Sequence, residues 1–462
     1  MPMEKQKSLY VCTADYDSKR RRYVVYRIKL AELFERHASL QRLAELQSQP
    51  MDTIVTEPML FPRFHMGCGV FGSRIVFGGG CLPSSSKLRH KGHLWFPRCS
   101  RTELYVFEMD STVDPHPNIK PNMMPNFSSG KLQPMMFEFE GRLFALGTSM
   151  SNFCDSLAFE VFNPNENRWL RLPDHPLMQS LDPSGLDQLR DPYAPKPLAG
   201  YNEDDFYFSY ALLENMLWVS SSVYSEVYMF NLKLSEFATT EWGQPPFAVE
   251  KFWPTIRGIP PGILGRGRAL YVRVSPTPKG MLFNFAWNES ARKWEIMMHR
   301  LTPQGCGISE TWLEKESDDH HYAAVEGVPH LVWQCPDDGD QFTRNITHSL
   351  VDLGERKICC VLAKFDSTGV KQKQWGAVRI DVDNEPSKWW AARTWGQPWG
   401  PVRTNVGSET PKLRIHVISF KIVGDEYTSM STEILNSRVF EPDWSPDSAG
   451  VLNGSVLHSF VR

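Results

Sequence analysis

The sequence predicts an all-β chain, a β-propeller of six or seven four-stranded antiparallel blades set radially. Three observations predict it. Short runs of β-branched and aromatic residues, broken by turn residues, fill most of the 462 positions. One four-strand unit recurs along the chain. A pair of aromatics seven residues apart marks that unit at intervals of about 60 residues, close to the periods of propeller repeats.

The strand runs begin at the N-terminus. Leu9–Thr13 and Tyr23–Leu30 flank a basic hairpin spanning Asp15–Arg22. Leu30, Leu33, Phe34, Leu40, Leu43 and Leu46 then fall at helical spacing, which predicts a helix inserted over 30–48. The repeating unit is plainest over 135–173. Met135–Phe139 is a strand and Glu140-Gly141 a two-residue turn. Arg142–Gly147 and Leu157–Phe162 are strands two and three. The turn-rich Asn163–Asn167 leads into Arg168–Leu172, the fourth. The unit recurs, less regularly, over 67–108, 206–237, 263–298, 322–383 and 412–440. Third-strand candidates lie near 26, 106, 160, 228, 283, 361 or 380, and 418.

The aromatic pairs are Phe162/Trp169, Phe230/Phe237 and Trp287/Trp294. Each fits a short polar turn that folds strand four back on strand three, so the two rings pack on one blade face. A ring of sheets also needs its ends paired, or two edges stay open. The C-terminal Gly450–Phe460 run reads as strand, Asn-Gly turn, strand. That hairpin is expected to complete the blade begun by residues 9–30, making 1–462 one domain. The Pro-, Ser- and charge-rich stretches 81–102, 111–131 and 174–202 are expected as rim loops.

Composition narrows the function. Lys and Arg number 50 against 53 Asp and Glu, a net charge of −3, which disfavours a binder driven by phosphate neutralisation. No apolar run approaches the roughly 20 residues that span a bilayer. The N-terminal Met-Pro-Met-Glu-Lys-Gln-Lys is unlike a secretory leader, and the nine cysteines are scattered. Both point to a reduced, cytoplasmic setting. Lys19–Arg22 adds a nuclear-localisation reading, with a solvated hairpin tip as the plainer one.

Arg74-Ile-Val-Phe-Gly-Gly-Gly80 and Phe162-Asn-Pro-Asn-Glu-Asn-Arg-Trp169 together resemble the kelch-type propeller family. This class includes galactose-oxidase-like central domains and plant kelch proteins. The first run matches the family's double glycine on strand two. The second matches its third-strand aromatic, turn and fourth-strand Trp. The resemblance implies a protein-interaction module. Strands from residue 9 onward leave no room for the F-box that many plant kelch proteins carry. The Glu-x3-Asp-x3-His spacing of iron-dependent specifier relatives is not found, and a tyrosyl-radical copper site is not supported.

Candidate site residues lie in two segments. Cys81, His90, His93 and Cys99 share one loop and are metal-ligand types; an exposed polar loop is the plainer reading. The same loop is basic through Lys87, Arg89, Lys91, Arg98 and Arg101. Trp389, Trp390, Trp395 and Trp399 sit with Arg393 in a Pro/Gly-rich stretch, residue types that anchor interfaces, although packing between blades accounts for them equally well. Asp318, Asp319, His320 and His321 read as a solvated turn, and Gly265-Arg-Gly267 lacks a phosphate-loop context. Acidic Glu203–Asp205 and Asp337–Asp340 give the rim both charge signs, which favours a protein partner over nucleic acid. The expectation is a monomeric module without cofactor or membrane contact. Its partner-binding residues are Arg89, His90, His93, Trp95, Trp390, Arg393 and Trp395. A metal-dependent enzyme or specifier at the propeller mouth is the alternative, and a ubiquitin-ligase substrate receptor without its own F-box a second.

Overall fold

The computed structural model describes residues 7–17, 21–30, 49–55, 64–81, 101–109, 120–121, 124–147, 158–173, 175, 208–221, 226–234, 255–256, 263–265, 267–273, 279–288, 290–291, 293–304, 322–335, 347–366, 412–424, 430–442 and 451–461. They are almost entirely strand. β1 (Ser8–Asp17), β2 (Arg21–Lys29) and β3 (Gln49–Val55) open the chain. β4 (Phe64–Phe71), β5 (Arg74–Cys81), β6 (Leu104–Glu108) and β7 (Lys120–Pro121) form an antiparallel meander. β8 (Met135–Phe139), β9 (Arg142–Leu146), β10 (Phe159–Asn163) and β11 (Arg168–Arg171) form the next. β12 (Phe208–Leu213), β13 (Met216–Ser221), β14 (Val227–Asn231) and β15 (Thr255–Ile256) follow. β16 (Arg268–Arg273), β17 (Gly280–Asn288), β18 (Lys293–Gln304) and β19 (Tyr322–Gln334) make another. β20 (Thr347–Gly354), β21 (Lys357–Asp366), β22 (Lys412–Val423) and β23 (Ser431–Pro442) are the last of this kind. β24 (Val451–Val461) returns to pair antiparallel with β1, so β24, β1, β2 and β3 are a meander too. Parallel bridges β12–β16 and β23–β3 merge four meanders into two eight-stranded sheets.

Strand residues alternate between faces, and here each face serves a different core. Cys12, Ala14, Tyr23 and Val25 pack with Met66, Cys68 and Phe77. Val76 and Val106 pack with Met136, Leu143 and Trp169. Phe137, Phe144 and Phe159 pack with Tyr210, Leu217 and Phe230. Trp218 and Met229 pack with Ala269, Leu282 and Leu301. Phe283, Phe285 and Ile296 pack with Leu350, Cys360, Ile418 and Phe420. Val351, Val361 and Val417 pack with Leu9, Val11, Val24 and Tyr26, which brings the last meander against the first. Burial on both faces is why Ile358–Ala363 is an unbroken apolar run rather than an alternating one.

The first strands of the meanders lie side by side at matching heights. A Cβ at Gly67 would sit 2.0 Å from the Pro134 carbonyl oxygen, and one at Gly69 2.6 Å from Met136 Cβ. Only glycine permits β4 to approach the β8 backbone this closely. Phe137 stacks 6.3 Å from Tyr210, Tyr210 pairs with Arg268, and Ser459 N donates to Ser349 Oγ at 3.1 Å.

Several expectations need correction. The C-terminal run is one strand, not a hairpin: Asn453 and Gly454 pair with Tyr16 and Asp15 inside the β24–β1 ladder. Trp287 and Trp294 do face each other, but on β17 and β18, the second and third strands of their meander. The candidates near 283 and 361 are likewise second strands, and 361 pairs with 417 inside one sheet. The candidates near 361 and 418 therefore belong to one meander, and the described residues hold six meanders. Within the 322–383 recurrence, Tyr322–Gln334 is a single strand whose pairing with β18 is irregular. In the 111–131 stretch, Met124 and Phe127 are buried. The expected helix beyond Leu30, Phe237, and most of 81–102 and 174–202 lie outside the described residues. Among the described residues, no helix is long and apolar enough to cross a membrane.

Candidate functional site

Both segments singled out from sequence are anchored at one end of their sheets. Arg89, His90, His93, Trp95 and Cys99, and Trp390, Arg393 and Trp395, lie outside the described residues, as do Asp318–His321. Of Cys81, the backbone alone is described. The strand ends that flank these segments are described, however. Cys81, where β5 ends, pairs with Phe64, where β4 begins. Ala363 near the end of β21 pairs with Thr347, where β20 begins. The strand ends that precede 82–100 and 367–411 thus lie beside the first residues of β4 and β20.

That same end gathers polar groups that sequence reasoning passed over. Tyr210 N donates to the Gly267 carbonyl at 2.9 Å, and Ser209 Oγ to the Gly265 carbonyl at 2.7 Å. The left-handed φ of +77° at Gly267 explains the glycine, and a Cβ there would lie 3.4 Å from the His348 ring. Arg268 opens β16 half-buried. His458, on β24, is buried on the Cys12 side of its sheet. Cys12 and Cys68 hydrogen-bond to each other in the adjoining core.

Burial keeps three of these groups, Tyr210, His458 and Cys68, in their neutral forms. Burial, with the Arg268 charge adding, pushes the His458 imidazole down to about 3. Burial raises the Tyr210 phenol; Arg268 opposes that and Cys68 reinforces it. Burial, then the hydrogen bond with Cys12, holds the Cys68 thiol well above its ordinary value. At neutral pH the cluster therefore offers the Arg268 guanidinium, the Tyr210 phenol, the neutral His458 imidazole and the Cys68 thiol. A guanidinium beside neutral donors of this kind is chemically suited to an anionic group. Among the described residues, no three His, Cys, Asp or Glu side chains converge as metal ligands.

A second polar centre is structural. Glu160 on β10 and Lys131 are both fully buried, 3.4 Å apart. Glu160 accepts from Ser128 N at 3.2 Å, Ser128 Oγ at 2.5 Å, Ser129 N at 3.0 Å and Ser129 Oγ at 2.7 Å. Lys131 Nζ donates to the Ala158 carbonyl at 2.6 Å. The Lys131 carbonyl in turn accepts from Gly80 N at 2.7 Å. The triple glycine at the end of β5 therefore lets the 124–131 segment lie against it. Trp169 completes the arrangement, donating to the Pro125 carbonyl at 2.8 Å and meeting Phe127 edge-on.

No family model and no curated protein sequence matches the chain. Among solved structures it is similar to a fungal alcohol oxidase of the AA5 family in complex with copper. That match has 11% identity over 96% of this chain and 74% of the other, with a TM-score of 0.37. It is also similar to YjhT, at 8% identity over 63% of this chain and 82% of the other, with a TM-score of 0.32.

Proposed function

We propose that the chain is a kelch-like propeller of six blades that holds a partner protein on the face where its inner strands begin. The cyclic order of the cores supports the ring, since each core is shared by successive meanders and one joins the last to the first. One observation carries the binding reading. The segments bearing Arg89, His90, His93 and Trp95, and Trp390, Arg393 and Trp395, both depart beside the starts of inner strands. Long connections carried by a rigid frame are where binding residues concentrate, and Trp with Arg is the composition of interface hot spots.

The test is affinity capture with mass spectrometry, using the full chain, a variant lacking 84–101, and Trp390→Ala/Trp395→Ala. Loss of the same specific partner from both variants, with melting unchanged, is the expected result. Identical partner lists overturn the reading. Metal analysis of the purified chain separates the enzyme alternative. Stoichiometric iron or zinc lost on His90→Ala/His93→Ala favours a metal-dependent site over a purely protein-binding one.

A further inference from the structure

Among the described residues, the cluster formed near the starts of β12, β16 and β20 together with His458 of β24 contains one charge without a counter-charge. The described ion pairs are Arg74–Glu108, Lys131–Glu160, Arg168–Glu166, Arg273–Glu214 and Lys357–Glu355. Arg268 is in none of them. Among the described residues it also has no hydrogen-bond acceptor. It is half-buried, it opens β16, and its register partner on the parallel strand β12 is Tyr210. His348 on β20 lies against the adjacent Gly267, and the Arg268 charge reaches His458 on β24. Four inner strands therefore contribute to one place.

A guanidinium carries five donors in a planar fork and cannot shed its proton. Partial burial removes some of its water, and an ion so placed is costly unless paired. The surrounding phenol and imidazoles cannot supply a negative charge, because burial keeps the phenol protonated and the His458 ring neutral. A single unmatched cation calls for a monoanion, and the planar fork fits a carboxylate with two parallel hydrogen bonds. Phosphate, carrying more charge, would want further cations, and no second described cation shares the cluster.

We propose that Arg268, flanked by Tyr210, His348 and His458, forms a carboxylate-binding site on the face where the inner strands begin. The site deepens the binding reading above and rests on it only for the identity of the ligand's bearer. The carboxylate belongs either to a small organic acid or to an acidic side chain of a bound peptide. The bidentate pair at Arg268 dominates the affinity, and the neutral neighbours orient it.

Calorimetric titration of the full chain tests this, with acetate and an octaglutamate peptide as probes and sodium chloride and octaglutamine at matched ionic strength as controls. Saturable binding of either carboxylate probe, weakened about tenfold or more in Arg268→Gln, is the expected result. Acetate binding assigns the site to a small acid, and binding of the peptide alone assigns it to an acidic segment. Should Arg268→Gln fail to fold, Arg268→Lys keeps the charge and removes the fork, and its affinity should fall measurably. Absence of binding by both probes, or equal binding in wild type and variants, overturns the proposal. The chain lacking 84–101 should still bind the probe. Loss of partner capture and loss of carboxylate binding are thereby separate results.

Discussion

The buried Lys131–Glu160 pair makes the sharpest energetic prediction. Both side chains are fully buried, and the carboxylate accepts four hydrogen bonds from Ser128 and Ser129 besides facing the ammonium at 3.4 Å. Removing one partner of such a pair leaves an uncompensated buried charge, at about 3–5 kcal/mol. Glu160→Gln should cost in that range, because Lys131 loses its counter-charge. Lys131→Met leaves the carboxylate its four donors, so its cost should be smaller, about 1–3 kcal/mol. The double variant removes both charges and should be less destabilised than the two single costs combined, by about 1–3 kcal/mol of coupling. Urea unfolding followed by Trp fluorescence, with Trp169 nearby as reporter, measures all three. A Glu160→Gln midpoint within about 0.5 kcal/mol of wild type, or strict additivity, would refute the reasoning.

Stability should fall in mild acid. Burial holds His175 and His458 at about 3 and His299 at about 4, against an ordinary 6.5. Their folded values lie below the unfolded one, so the unfolded chain takes up protons first as pH drops. Their contribution is complete above about pH 6.5 and is lost below it, at up to about 4 kcal/mol per pH unit if all three act together. Urea midpoints at pH 7, 6 and 5 check this, and a flat profile would count against it. Gly79→Ala should destabilise by at least about 2 kcal/mol, because φ is +73° and the new Cβ would lie 2.4 Å from the Lys131 carbonyl oxygen; thermal melting reads it. Trp169→Phe should cost about 1–2 kcal/mol by stranding the Pro125 carbonyl, and a silent substitution would contradict that bond.

Much of the architecture was legible because local signals agreed with one another. The Arg142–Gly147 and Arg168–Leu172 strands, the Glu140-Gly141 turn, and the Phe162–Trp169 pairing over a short Asn-rich turn all stand in the structure. The errors came where one signal has two origins. Asn453-Gly454 is a strong turn dipeptide, yet the ladder to β1 continues through it, since tertiary pairing outweighs a two-residue preference. Trp287/Trp294 has the spacing of a third-to-fourth strand turn, but any tight hairpin with facing aromatics gives that spacing. Counting β21 and β22 as separate repeats followed from strands buried on both faces, which carry no mark of their place in a blade. The Lys131–Glu160 pair and the Arg268 cluster were invisible because their members are 29 or more residues apart in sequence. Only the triple glycine hinted that some backbone must pass close to β5.

The account depends on β24 completing the meander that β1, β2 and β3 begin. Nine residue pairs join it to β1, from Leu9↔Val461 to Asp17↔Val451. Deleting 449–462 and following hydrogen exchange with thermal melting tests this most directly. The account predicts lost amide protection over Leu9–Thr13 and a melting temperature lower by many degrees. Retained protection with an unchanged melt would contradict it.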